Sequence, residues 1–229
     1  MTFPTTLPIA AHPPMPAAHA VTPHPALGDE ANRRDALVRA SAKLFREKGF
    51  KATTVRDIAA AVGMRSGSPF YHFANKEEIL KAVMEQGLVQ GLELTTHALA
   101  QAKTAVDEFR ALVQTHYGIL HHPGSDFIAV MLYEWRHLPD SHKRDIIALK
   151  DRYDGLWHHT LSRLIEQGLL GGPTHGTTAV AGEEKVARLM VLGAINYSVT
   201  WFKEQHPGSQ GWTLDQLCER TVAFFLRSP

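Results

Sequence analysis

Residues 53–80 spell TTVRDIAAAVGMRSGSPFYHFANKEEIL, a stretch in which helices stop and restart within a few residues. Thr54 precedes Asp57 by three positions, the spacing of a capping box at a helix N-terminus. Gly63 follows an apolar run and can supply a left-handed stop. Ser66 and Asn75 are candidate N-caps for the next two helices. The spacing predicts three short helices, of which the second and third are joined by a tight turn, as in a helix-turn-helix.

Pro69 would lie at the third position of the helix that Ser66 caps. Its missing amide has no intrahelical partner to lose there, so the proline marks the first turn of this helix and does not break it. Because the residue before a proline avoids the α region, Ser68 is expected to distort that turn.

The charge of the chain is unevenly distributed. Residues 32–76 contain ten Lys or Arg and three Asp or Glu, which gives +7, whereas the rest of the 229-residue chain has 14 and 20, which gives −6. A basic module attached to an acidic one indicates a polyanionic partner for the first. A solvated basic face would show the same charge, so charge alone leaves both interpretations open.

The periodicity of the chain predicts an all-α fold of about nine helices. Residues 1–28 contain seven prolines and are expected to form a disordered tail. We assign residues 29–75 to a helix-turn-helix domain and residues 76–229 to a helical ligand-binding and dimerisation domain. Breaker-rich segments at 123–124, 139–140, 171–182 and 206–211 separate the later helices.

The segments TTVRDIAAAVG and SGSPFYHFANKEEIL closely resemble the DNA-binding signature of TetR-family transcriptional regulators, over roughly residues 33–84. Pro69 departs from the Leu or Ile that the family usually carries, and Phe70 replaces a common Tyr. The resemblance implies that one set of side chains faces the major groove: Arg65, Ser66, Gly67, Ser68, Phe70, Tyr71 and His72. A second set would position the DNA backbone through phosphates: Thr54, Arg56, Tyr71, His72 and Lys76.

Two of these residues have alternative roles. Arg65 could form a bidentate contact with guanine or hold a phosphate. His72 could instead make a hydrogen bond at a helix end.

The resemblance also implies a homodimer, since a two-fold protein matches a palindromic operator. The last two helices carry apolar stripes suited to a four-helix seam: Leu189, Leu192, Ile195 and Val199 on one, and Leu214, Leu217, Thr221, Phe224 and Phe225 on the other. Packing within one subunit would give the same stripes.

Large side chains of the middle helices could line a cavity for a small, largely apolar effector. The candidates are Phe109, His116, Tyr117, Phe127, Met131, Trp135, Tyr153, Trp157, Asn196 and Trp201. An ordinary hydrophobic core is the alternative for each of them. The segments AINYSVTWF (194–202) and KDRYDGLW (150–157) look similar to TetR-like regulators that sense acyl thioesters or other lipidic and aromatic molecules.

Other functions lack support in the sequence. No motif of a hydrolase, metalloprotease or nucleotide-binding enzyme appears, so we expect no enzyme and no cofactor. Adjacent histidines, as in His121-His122, point about 100° apart on a helix and rarely chelate one ion, so we expect no metal site. The single cysteine, the lack of a membrane span and the lack of a secretory signal favour the cytoplasm.

The sequence therefore predicts a DNA-binding transcriptional regulator and favours a repressor that a ligand releases from its operator. The alternative is an all-α small-molecule-binding protein or enzyme with no role on DNA.

Overall fold

The computed structural model describes residues 28–122, 126–170, 182–203 and 211–227, so the predicted tail lies almost wholly outside the described residues. The predicted all-α fold is confirmed. The described residues form eight α-helices: α1 (Gly28–Lys48), α2 (Val55–Ala61), α3 (Lys76–Leu99), α4 (Ala105–His121), α5 (Asp126–Glu134), α6 (Asp140–Glu166), α7 (Glu183–Tyr197) and α8 (Leu214–Phe225). Short 3-10 helices span Ser68–Tyr71, Trp135–His137 and Ser198–Thr200.

Two glycines end the first helices, and the sequence predicts the stop at Gly63. Gly49 follows α1 with φ of +82°, and Gly63 follows α2 with φ of +68°, both in the left-handed region that side chains disfavour. Asn75 caps α3 by accepting a hydrogen bond from the amide of Glu78 at 2.8 Å, which confirms that prediction. Helix α3 then runs without interruption to Leu99.

The buried side chains form two hydrophobic cores. The first, the head core, joins α1, α2 and the first half of α3 with α5 and the start of α6; its α5 and α6 members are Phe127, Val130 and Ile146. The second, the C-terminal core, lies among α4, α6, α7 and α8, around Phe109 and Trp157. Helices α3 and α6 supply residues to both cores, so they connect the two parts of the protein.

Helices α3 and α5 approach closely at Gly87. A Cβ atom at this position would lie 2.6 Å from Cβ of Phe127, too close for two carbon atoms. Two ion pairs connect the same helices to their neighbours: Arg46 of α1 with Asp126 of α5 at 2.6 Å, and Lys81 of α3 with Asp145 of α6 at 2.5 Å. Each pair joins an exposed side chain to a half-buried one, and such partly exposed pairs contribute little to stability. The packing at Gly87 therefore contributes more than the Arg46–Asp126 pair to holding α5 in place.

We expect Gly87→Ala to destabilise the protein by about 1–3 kcal/mol, because the added methyl group forces α3 and α5 apart. Gly155→Ala is a matched control on α6, where a Cβ meets nothing within 4 Å. The control should be stabilising by roughly 0.5–1 kcal/mol, since alanine favours a helix interior. Urea unfolding followed by circular dichroism measures both changes. Equal stability of the two variants would contradict the close approach.

Candidate DNA interface and effector site

A capping box fixes the start of α2. The amide of Asp57 donates to Oγ1 of Thr54 at 3.1 Å, and the amide of Thr54 donates to the Asp57 carboxylate at 2.8 Å. The hydrogen bond from this backbone amide is the largest cause that holds the pKa of Asp57 below its ordinary value. The predicted capping box is confirmed. Thr54 and the neighbouring Arg56 are both exposed, as a role in phosphate contact requires.

The recognition segment is a 3-10 helix, not the α-helix that the sequence predicts. It begins at Ser68 with Gly67 as N-cap, so the prediction that Ser66 is the N-cap is wrong. Two of its hydrogen bonds join residues three positions apart, as in a 3-10 helix. The amide of Phe70 donates to the Gly67 carbonyl at 3.2 Å, and the amide of His72 donates to the Pro69 carbonyl at 3.0 Å. Pro69 has no amide to donate and disfavours the α conformation in the residue before it, which accounts for the tighter winding.

The helices α1 and α2, the recognition segment and the start of α3 form a unit that we call the head. The side chains predicted to face the major groove lie on its outer surface. Tyr71 is 89% exposed and Phe70 is 55% exposed, whereas Pro69, the residue before Phe70, is buried. Arg65, Ser66 and Gly67 of the same set are exposed. Ser68 and His72 are half-buried. The exposed aromatic rings of Phe70 and Tyr71, with the exposed Arg65 on the same segment, form a surface suited to contact with another molecule.

A surface groove of about 600 Å³ lies beside the recognition segment. Ser68, Tyr71 and His72 form one wall, and Asn32 and Arg33 from α1 form another. The sequence prediction did not include Asn32 or Arg33. The consecutive basic residues at the start of α1 were the available signal for them.

The side chain of Lys76 makes its contacts inside the protein. Its Nζ donates to the backbone carbonyls of Phe50 at 2.8 Å and Thr53 at 2.9 Å, and lies 4.3 Å from the centre of the Phe50 ring. These contacts tie the first residue of α3 to the turn between α1 and α2. The predicted phosphate contact of Lys76 stays a prediction, while its role in positioning the head is visible.

The residues predicted to bind the effector are divided between the two cores. Phe109, His116, Tyr117, Tyr153 and Trp157 lie together in or against the C-terminal core, and Asn196 contacts His116. Phe127, Met131 and Trp135 instead pack in the head core, because α5 lies against α1. Trp201 is 56% exposed and touches the edge of Phe202.

His116 is the centre of a buried hydrogen-bond network. Its Nδ1 lies 2.7 Å from the Tyr153 hydroxyl, and its Nε2 lies 2.8 Å from Oδ1 of Asn196. Burial lowers the pKa of His116 below its ordinary value, despite opposing effects of Asn196 and Asp154. The network therefore holds a neutral imidazole that links α4, α6 and α7.

An open cleft of about 390 Å³ lies elsewhere, between the head and the later helices. Phe45 and Arg46 of α1 line one side, Tyr133 of α5 another, and Leu120 and Phe202 the remainder. None of the ten predicted effector residues lines this cleft.

Helix α7 exposes an apolar face. Val186, Leu189, Met190 and Tyr197 are 57–67% exposed, and Phe224 on α8 is 79% exposed. Of the predicted seam residues, only Leu189 and Phe224 are exposed; Ile195 and Leu217 are buried, and Leu192, Val199, Leu214, Thr221 and Phe225 are half-buried. The helical period of the prediction holds, but the exposed stripe of α7 is centred on Met190 and not on Leu192.

Among the residues that the structure describes, no helix is long and apolar enough to cross a membrane. The same residues include no group of three or more His, Cys, Asp or Glu side chains placed to hold a metal ion.

Two family models cover most of the chain. Residues 37–83 match the model of bacterial regulatory proteins of the tetR family, and residues 102–228 match the tetracyclin repressor-like C-terminal domain. The protein belongs to the TetR family.

The proteins whose sequences are similar to this chain include transcriptional repressors. HTH-type transcriptional repressor KstR2 of Rhodococcus jostii is 32% identical over 155 residues, covering 65% of this chain and 74% of that protein. KstR2 of Mycolicibacterium smegmatis is 29% identical over 122 residues, covering 53% of this chain and 59% of that protein. The chain thus spans between three fifths and three quarters of these repressors.

Solved structures share the TetR-family fold over most of their length. The superantigen PfiT is 32% identical with a TM-score of 0.69, covering 88% of this chain and 100% of that one. AibR in complex with isovaleryl coenzyme A and operator DNA is 24% identical with a TM-score of 0.72, covering 84% of this chain and 97% of that one.

For this TetR-family head, Arg56→Ala and Lys76→Ala should act differently. Arg56 is exposed, so its loss should weaken binding to all DNA sequences and reduce the slope of log affinity against log salt by about 1. Lys76→Ala should lower the free energy of unfolding by about 1–3 kcal/mol, because two backbone carbonyls lose a charged donor. Fluorescence anisotropy with DNA at several salt concentrations, together with urea unfolding, measures both effects.

A change of base preference without a loss of overall affinity in Arg56→Ala would contradict the phosphate role. Unchanged stability in Lys76→Ala would show that the two carbonyl contacts do not hold the head together.

Proposed function

We propose that the protein is a homodimeric transcriptional repressor that binds a palindromic operator in the cytoplasm and leaves it when a small, largely apolar effector binds. The exposed recognition segment on the basic head carries this proposal. Arg65, Phe70 and Tyr71 protrude from a module of net charge +7, as a reader of the major groove requires. KstR2, described as a transcriptional repressor, supports the direction of regulation.

The effector class is supported by the C-terminal core and by a protein of the same fold. Aromatic side chains around Trp157 offer apolar contacts, and the His116 network offers polar ones. AibR binds isovaleryl coenzyme A together with operator DNA, which supports an acyl thioester among the lipidic and aromatic candidates.

Two heads of one dimer would contact half-sites separated by about 34 Å, one turn of DNA, or a multiple of this distance. The effector would favour a state in which the heads are wrongly spaced. Such a coupling between two sites is typically worth about 1–3 kcal/mol.

The central test measures binding of the full chain to DNA from upstream of its own gene, by gel shift at two salt concentrations. We expect tight binding at low salt that weakens steeply at high salt, since phosphate contacts release counterions. Absent or salt-insensitive binding would favour the alternative, an all-α small-molecule-binding protein or enzyme without a role on DNA.

A substitution on α7 tests the proposed dimer. Leu189→Glu should convert the dimer to a monomer and abolish tight operator binding, because a carboxylate would be buried in the seam. Leu94→Glu is a matched control, since Leu94 on α3 is 54% exposed and Leu189 is 58% exposed. Light scattering after size-exclusion chromatography gives the mass of each variant. A monomeric wild type, or equal effects of both variants, would contradict a seam on α7.

A further inference from the structure

Five polar side chains meet inside the C-terminal half of the protein. We call Thr95 of α3, His116 of α4, Tyr153 and Trp157 of α6, and Asn196 of α7 the buried polar cluster. Asn196 presents its Oδ1 oxygen to Nε2 of His116, so Nε2 carries the proton and Nδ1 accepts the hydrogen bond from the Tyr153 hydroxyl. Three helices, α4, α6 and α7, are therefore joined by one hydrogen-bonded chain of neutral groups, and α3 contributes Thr95 beside it.

Two members of the cluster have unused hydrogen-bonding capacity. Oγ1 of Thr95 and Nε1 of Trp157 are buried without a hydrogen-bond partner, and both residues are completely inaccessible to solvent. The indole N–H can only donate, and the threonine hydroxyl can donate as well. A buried donor without an acceptor is destabilising, so this is a site where an acceptor from outside would be stabilised.

Both unused donors lie beside the hydroxyl of Tyr153. Burial raises the pKa of Tyr153 to about 12, and the side chains of Thr95 and Trp157 oppose this rise, although neither forms a well-aligned hydrogen bond with it. Both donors thus lie near one region, the hydroxyl end of the Tyr153 ring. Phe109 packs edge-on against Trp157 with ring centres 6.3 Å apart, so the surroundings of this region are apolar.

The buried polar cluster offers no cation to a negatively charged ligand. The cluster itself contains no cation, and burial keeps His116 neutral by lowering its pKa. Asp154 is the nearest charge that acts on both His116 and Tyr153, and it is negative. Lys150 and Arg188 both pair with Asp154, the first at 2.6 Å. A carboxylate brought here would lose its water and gain no cation, which is unfavourable.

We propose that the buried polar cluster binds the uncharged carbonyl group of the effector, which accepts hydrogen bonds from Trp157 and Thr95. The ligand class is then an apolar ketone, ester or thioester, and not a free carboxylic acid. This inference rests on the proposed function and specifies its effector site.

Entry of a ligand requires a movement of α7. Neither the groove beside the recognition segment nor the cleft at Phe45 includes a residue of the cluster. Asn196 is the half-buried member, and its bond to His116 holds α7 against α4. A ligand in the cluster therefore selects a state in which this bond is displaced, and it can shift the protein only by its preference for that state.

The test uses the full-length protein labelled with 15N at its tryptophan indole groups. The probes are methyl ketones and methyl esters of short to medium chain length, carboxylates of the same chain lengths, and isovaleryl coenzyme A. Trp157→Phe assigns the indole signal of Trp157, and anisotropy of the DNA complex reports release from DNA. We expect neutral carbonyl probes to shift the Trp157 signal and weaken DNA binding, with the carboxylates weaker by about tenfold or more.

Thr95→Val removes one proposed donor while keeping the shape of the side chain. It should fold with unchanged or increased stability, since it removes an unpartnered hydroxyl, and it should bind the neutral probes about five- to tenfold more weakly. Thr96→Val is the matched control at the neighbouring exposed position of α3. Trp157→Phe should also reduce binding, but Thr95→Val keeps the test valid if the loss of the indole affects folding.

Three outcomes would each overturn the inference: carboxylates that act as well as ketones, neutral probes whose effect Thr95→Val leaves unchanged, or a Trp157 signal that no probe shifts. Salt-dependent DNA binding without any probe tests the proposed function separately. If it persists while the probes fail, the effector site is wrong and the repressor proposal stands. If it is absent while the probes shift Trp157, the reverse holds.

Discussion

The head of this protein depends on packing that α1, α2 and the start of α3 do not supply by themselves. A unit of about 60 residues buries only about 60% of the surface that its unfolded chain exposes, so a core of its own is marginal. Phe127 and Val130 of α5, with Ile146 of α6, complete the head core. Because protein interiors are closely packed, α5 cannot move without moving α1 and α3 or opening a cavity. The orientation of the recognition segment is therefore set partly by α5 and α6, which lie outside the head.

This shared core explains why sequence reasoning assigned some residues to the wrong neighbours. A helical period shows which side chains lie on one face, but not which element covers that face. Phe127, Met131 and Trp135 therefore looked equivalent to Phe109 and Trp157, although they pack against the head. The same limit applies to α7, where the spacing of apolar residues was right and the exposed stripe was not.

Features that depend on nearby residues were predictable. The capping box of α2 joins residues three apart, and the glycine stops depend on the backbone of one residue. The partners of Lys76 lie 23 and 26 positions away, and no local signal indicates them. Pro69 was predicted to fit the first turn of an α-helix, but its missing amide and its restriction of Ser68 favour 3-10 winding.

Helices α3 and α6 connect the proposed effector site to the head, since both contribute side chains to the two cores. On α6, Tyr153 of the buried polar cluster lies seven residues, or about 10 Å, from Ile146 of the head core. On α3, Thr95 lies about 16 Å from Met84, and Gly87 lies between them at the close approach to Phe127. A ligand that separates α6 or α3 from α7 must therefore tilt helices that are packed into the head. Since a tight core has discrete arrangements, a small tilt at the cluster becomes a change in the position of the recognition segment.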